Sequence, residues 1–200
     1  MAVGFDAVGP MPASKMCPGL AFSSSTQGPL LTEEDWSLDW RAAYTKSRQE
    51  KALAEDLRRL NVTYFLPLVE REVSSGGKRR KRWLPLFPSY VFFGGATSDK
   101  LSVAKTDRVA HFVEVPPAAQ DEFRQQLASL ETALRTAPST VELHPRLEVG
   151  KQVTIKSGPL KGVTGSLLRV KNKRKLCLHV SALGVGVVVE ISADLVDPYL

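Results

Sequence analysis

Four consecutive residues, Tyr90, Val91, Phe92 and Phe93, constrain the fold more than any others in this chain. In an extended segment successive side chains alternate between faces, so Tyr90 and Phe92 project one way and Val91 and Phe93 the other. Both faces are apolar, and a strand of this kind belongs inside a sheet that is covered on each side. The run begins earlier, at Leu86, Phe87 and Pro88. One face can pack on helices of the same unit. The other needs a cover too, and without one it is an aromatic patch for a partner.

The segments before and after this strand supply candidate covers. Trp40 to Tyr44 reads as a short strand, and Ser47 with Glu50 three residues on has the spacing of a capping box, which predicts a helix starting there. Leu53, Leu57 and Leu60 fall at i, i+4 and i+7 on one face of that helix, and Asn61 suits a left-handed stop. Val62 to Val69 is a β-rich run broken by Pro67. Ser74 to Arg82, with Gly76 and Gly77, reads as a hairpin whose tip carries Lys78, Arg79, Arg80, Lys81 and Arg82. A helix over Thr97 to Lys105 and a strand over Val109 to Val115 complete a β-α-β-β-α-β order. Beyond Pro116 and Pro117, the spacing of Phe123, Leu127, Leu130 and Leu134 predicts an amphipathic helix whose apolar face needs a sheet.

The rest divides by composition. Residues 1–35 are rich in Gly, Pro, Ser and Ala without apolar periodicity and read as a disordered head. Residues 36–137 form the mixed unit just described, and residues 138–147 read as a linker joining it loosely to the next. Residues 148–200 hold only short strands separated by turns, which predicts a small barrel. The expected class is α+β, an α/β sandwich with an antiparallel sheet followed by an all-β barrel. The β-branched run Val185 to Ile191, with Gly184 and Gly186, opposes any helical alternative in that second unit.

The charge follows the same division: of the formal +6, residues 1–35 carry −3, residues 36–137 carry +5 and residues 148–200 carry +4. A basic run at a hairpin can neutralise phosphates, although a solvated loop has the same composition. Lys171, Lys173, Arg174 and Lys175 form a second cluster at an expected turn. Signs of catalysis are thin. His111, His144 and His179 lack metal-ligand spacing, Gly158, Gly162 and Gly165 sit between strands without a following helix, and Cys177 alternates with leucines in a strand. The reading is therefore a non-enzyme with no metal and no cofactor. Two widely separated cysteines fit a reducing compartment, and without a signal-like or membrane-spanning run the expected location is the cytoplasm, as a monomer.

Taken together, several of these stretches resemble the NusG and RfaH group of transcription elongation factors, which includes Spt5. Trp40 to Lys51, Leu57 and Tyr64 to Pro67 look like the opening of that family's N-terminal domain, and Pro85 to Phe92 like its most recognisable motif. Gly150 to Gly165 is similar to the KOW motif. The resemblance implies a ferredoxin-like N-terminal domain that binds the RNA polymerase clamp, with Phe87, Tyr90 and Phe92 in the binding surface and residues 78–82 near DNA at the transcription bubble. It implies a KOW domain that recruits a ribosomal protein or a termination factor. Leu160, where the family often has Phe, and Val185, after Gly184 where a basic residue is common, mark a departure and suggest a specialised paralog. The protein would modulate elongation, pausing, termination or antitermination and sit on the nucleoid through polymerase. The competing reading is an RNA-binding, ribosome-associated KOW protein, which would have no use for the Trp40 to Phe92 pattern.

Overall fold

The computed structural model describes residues 31–75, 78–136, 141–144, 151–158, 160–170 and 173–190. Helix α1 (Glu33–Trp36) leads into strand β1 (Trp40–Thr45), helix α2 (Glu50–Arg59) and strand β2 (Thr63–Phe65). A long ribbon, β3 (Leu68–Ser75) and β4 (Lys78–Pro85), precedes strand β5 (Tyr90–Gly94), helix α3 (Thr97–Ala104), strand β6 (Val109–Val113) and helix α4 (Gln120–Thr136). The strands β2, β5, β1 and β6 make one antiparallel sheet in that spatial order, with β3 and β4 paired outside it. Set aside the ribbon, and the chain order and sheet order are those of a ferredoxin-like split β-α-β fold.

Each face of this sheet has its own core. Trp40, Ala42, Phe65 and Phe92 join Phe123, Leu127 and Leu130 of α4 on one side, while Ala43, Val91 and Phe93 join Leu53, Ala54 and Leu57 of α2 and Val103 of α3 on the other. The expected alternation along β5 thus holds, and helices cover both faces. Phe92 and Phe93 are fully buried.

Helix α2 ends as the sequence predicts and begins differently. Asn61 adopts φ +54°, its N–H donates to the Arg58 carbonyl at 3.2 Å, and the Val62 N–H donates to the Leu57 carbonyl at 3.0 Å. Those two bonds are a Schellman stop, which satisfies carbonyls the helix leaves open. Leu60 falls at the cap and is 44% exposed, off the buried stripe of Leu53 and Leu57. At the other end Gln49 is the N-cap and makes no side-chain cap. The Ser47 and Glu50 capping box does not form, because the Glu50 carboxylate accepts the Ser89 N–H at 2.7 Å across the fold.

Order also begins before residue 36. Thr32 and Asp35 make a reciprocal capping box for α1, and Trp36 stacks on Trp40 with ring centroids 5.0 Å apart. Residues 1–30 of the expected head lie outside the described residues.

The second unit is an antiparallel sheet in the order β7 (Val141–His144), β11 (Val185–Glu190), β10 (Lys173–Val180), β9 (Thr164–Val170) and β8 (Lys151–Thr154). The segment expected to be linker therefore contributes a strand, with Val141 paired to Val189. Gly165 fits here because a Cβ would meet the Cys177 carbonyl oxygen at 2.4 Å. The sequence pattern also predicts a short strand near Leu195 and Val196, and those residues lie outside the described ones.

The two units touch, in place of the loose tether expected. Helix α4 packs against β10, and the Gln126 Oε1 accepts bonds from the Ser181 N–H at 2.9 Å and the Ser181 hydroxyl at 3.0 Å. Sequence periodicity places Phe123, Leu127, Leu130 and Leu134 on one stripe of α4; the structure also buries Ser129 and Ala133 on the flank that carries Gln126.

Candidate partner interfaces

The cover over the Phe92 face is incomplete along the strands. Trp36 lies over the Trp40 end and Phe123 meets Phe92 edge-on at 6.0 Å. At the opposite end Tyr44 on β1 is flanked by Tyr90 on β5 and His111 on β6, each directly across from it. Tyr44 meets Tyr90 edge-on at 5.0 Å and stacks on His111 at 4.6 Å. Tyr44 and Tyr90 are half-buried and His111 is exposed, so three rings on three adjacent strands form a solvent-facing ladder. Such rings offer large apolar area with a polar edge, the composition that recurs at protein interfaces.

Backbone geometry holds Tyr90 in place. Ser89 sits in the left-handed region at φ +67°, a conformation that costs a non-glycine residue energy unless its surroundings enforce it. They do so here: its N–H is held by Glu50 and its carbonyl accepts the Thr45 N–H at 2.7 Å. The Tyr90 N–H in turn donates to the Phe87 carbonyl at 3.1 Å. Beyond the ladder, Lys46 Nζ meets Asp107 at 2.7 Å, and that hydrogen bond holds the Asp107 carboxyl below its usual range.

Of the three aromatic residues assigned to a binding surface from sequence, the structure exposes only Tyr90 in part. Phe87 and Phe92 are 2% and 0% exposed and pack on each other edge-on at 5.7 Å. No local sequence pattern marks Tyr44 and His111 as interface residues. The signal that finds them is strand register, which brings both beside Tyr90.

The basic run also lies elsewhere than expected. Lys78, Arg79, Arg80, Lys81 and Arg82 occupy strand β4 itself, and all five are exposed. Arg79 lies 3.8 Å from Glu72 and Lys81 lies 3.0 Å from Glu70. The Glu70 hydrogen bond raises the Lys81 pKa further. Near its base the ribbon is anchored by the Lys51 Nζ, which donates to the Trp83 carbonyl at 2.7 Å, and by the Leu86 N–H, which donates to the Pro67 carbonyl at 2.8 Å.

In the second unit Leu160 is 4% exposed and belongs to the core, so its side chain is not a free surface. Gly184 and Val185 lie at the end of a 3-10 turn, Ser181–Leu183; Gly184 takes φ +63° and is exposed, while Val185 is half-buried. The same turn bonds Gln126, so this corner faces α4. Cys177 is buried in β10, and burial raises its thiol pKa to about 11, which leaves it a poor nucleophile. The side chains of the cluster at 171–175 lie outside the described residues. Among the described residues no group of three or more His, Cys, Asp or Glu side chains is placed to hold a metal, and no helix is long and apolar enough to cross a membrane.

The arrangement can be set against known proteins. A family model described as "Transcription termination factor nusG" matches residues 38–128, which span β1 through the first half of α4. A protein of Staphylococcus carnosus named "Transcription termination/antitermination protein NusG" is 27% identical over 186 residues, covering 84% of this chain and 99% of that protein. One of the same name from Staphylococcus aureus strain N315 is 26% identical with the same coverage. A solved structure described as "Domain interaction in Thermotoga maritima NusG" aligns over 80% of this chain and 96% of its own, at 17% identity and a TM-score of 0.42. The family match falls on the unit that carries both the aromatic ladder and the ribbon, and the relatives extend the similarity over 84% of the chain: the chain is similar to NusG transcription termination/antitermination proteins.

Proposed function

We propose that this protein binds RNA polymerase through the Tyr44, Tyr90 and His111 ladder and modulates elongation, pausing, termination or antitermination. The observation that carries the reading is the ladder itself: a three-ring, solvent-facing surface at the uncovered end of a sheet whose remainder is sealed by α4 and Trp36. Phe87 and Phe92 then act as buried core beside the ladder, with the Phe87 carbonyl accepting the Tyr90 N–H. The ribbon between β2 and β5 reaches toward DNA beside the polymerase, and the turn at Gly184 and Val185, where Gly184 is exposed and Val185 half-buried, recruits a further factor, a ribosomal protein or a termination factor. A departure from the usual residues at Leu160 and Val185 supports a specialised member of the family. No reaction is assigned to the protein.

Titration of core RNA polymerase with the full chain tests this. Tyr90→Ala and Tyr44→Ala should each weaken binding by tenfold or more, since truncating a central interface aromatic costs about 2 kcal/mol or more. Unchanged affinity in folded variants overturns the ladder as the docking surface.

A further inference from the structure

We propose that one face of the β3–β4 ribbon, made by Arg71, Lys78, Arg80 and Arg82, binds the phosphate backbone of duplex DNA, and that Arg79 and Lys81 take no part. This rests on the reading that the chain works beside DNA, and it assigns the contact to one side of the ribbon. In an antiparallel pair, residues directly opposite share a face. The register puts Lys78 opposite Ser75, Arg80 opposite Val73 and Arg82 opposite Arg71; Arg79 opposite Ser74, Lys81 opposite Glu72 and Trp83 opposite Glu70 alternate with them on the other face.

The two faces differ in charge. Both acidic residues of the ribbon, Glu70 and Glu72, lie on the second face, where they pair diagonally with Lys81 and Arg79. The first face has four cations and no acid, and none of the four has an ion-pair partner among the described residues. Arg71 and Arg82 stand directly across from each other. Like charges so placed destabilise a ribbon, and an anion between them relieves the repulsion.

The shape favours a backbone contact. Lys78, Arg80 and Arg82 recur every second residue, so the row spans about 14 Å with a cation every 7 Å or so. That row can meet several phosphates along one strand of a duplex. The face carries no aromatic ring, since Trp83 lies on the other side, and single-strand binding relies on stacking platforms. Arg71 is the residue the basic run does not reveal, because it comes from the facing strand.

The test is binding of the full chain to a short mixed-sequence DNA duplex over a series of salt concentrations. Arg80→Gln with Arg82→Gln should flatten the slope of log affinity against log salt by about 1.8, and Arg71→Gln alone by about 0.9, at about 0.9 per lost phosphate contact. A charge-neutral variant of the other face, Glu70→Gln, Glu72→Gln, Arg79→Gln and Lys81→Gln together, should leave the slope as it is. Arg71→Gln should keep or raise the melting temperature, which separates lost binding from lost folding. Equal slope losses in the two multiple variants overturn the proposal, as does tighter binding to a single strand of the same length, or no duplex binding by the unaltered chain at low salt. Polymerase titration of the same proteins is a separate readout: failure to bind polymerase with the DNA slopes split as described counts against the polymerase reading and upholds the ribbon face.

Discussion

The two faces of the four-stranded sheet are built from the same strands and end differently. On the Phe93 face, α2 and α3 cover Ala43, Val91 and Phe93. On the Phe92 face, α4 and Trp36 cover Trp40, Ala42 and Phe92 but leave Tyr44, Tyr90 and His111 in contact with solvent. Tyrosine and histidine tolerate that position because each ring has an edge that water can solvate, which a phenylalanine ring lacks. One sheet therefore serves as sealed core over most of its length and presents a solvent-facing aromatic surface at one end.

Truncating the two buried rings gives the largest expected effect. Phe92→Ala and Phe93→Ala should each lower unfolding free energy by about 3–5 kcal/mol, measured by denaturant titration, because both leave a cavity in a sealed core. Tyr90→Ala should lose much less stability yet lose polymerase binding. If Phe92→Ala remained fully stable and lost only binding, the division along the strand would be wrong.

Next in size is the support under Tyr90. Glu50→Ala removes the acceptor of the Ser89 N–H, a hydrogen bond to a charged group, and should cost about 1.5–3 kcal/mol. It should also loosen residues 88–90, visible as faster amide exchange at Tyr90, with α2 otherwise intact. A smaller effect belongs to the ladder: a double-mutant cycle with Tyr44→Ala and Tyr90→Ala should return a coupling of about 0.5–1.5 kcal/mol in the free protein. A coupling near zero would mean the rings lie beside each other without supporting each other.

The smallest concerns the solvent side of α2. Glu55 accepts hydrogen bonds from Arg58, at 2.7 Å, and from Arg59, at 3.1 Å. The Arg58 hydrogen bond is the main cause that lowers its pKa to about 2 from a usual 4.5. A carboxyl whose pKa is depressed by folding adds stability above its unfolded value, and that contribution disappears as pH falls from 4.5 toward 2. Arg58→Ala should raise the Glu55 midpoint in a side-chain carboxyl NMR titration. An unmoved midpoint would show that the pair does not persist in solution.

Local pattern carried a good part of this fold. The alternation at Tyr90 to Phe93 called for two covers and both exist; the α4 stripe and the Asn61 stop also follow from neighbours a few residues apart. The capping box at Ser47 misled because Glu50 has a partner 39 residues away that no local spacing reveals. The linker misled for the same kind of reason: Val141 becomes a strand only because β11 offers it an edge.

Residue types and their short-range spacing determined that this chain makes an α+β unit with a doubly buried strand and then an all-β unit, since periodicities of 2 and 3.6 are properties of the local backbone. Which aromatic rings stay exposed, and which cations of the ribbon stay unpaired, was decided by tertiary structure alone. Both depend on register and on which helix lies over which end of a sheet. A shift of one residue in the β3–β4 pairing would change which cations lie opposite Glu70 and Glu72, with the sequence unchanged.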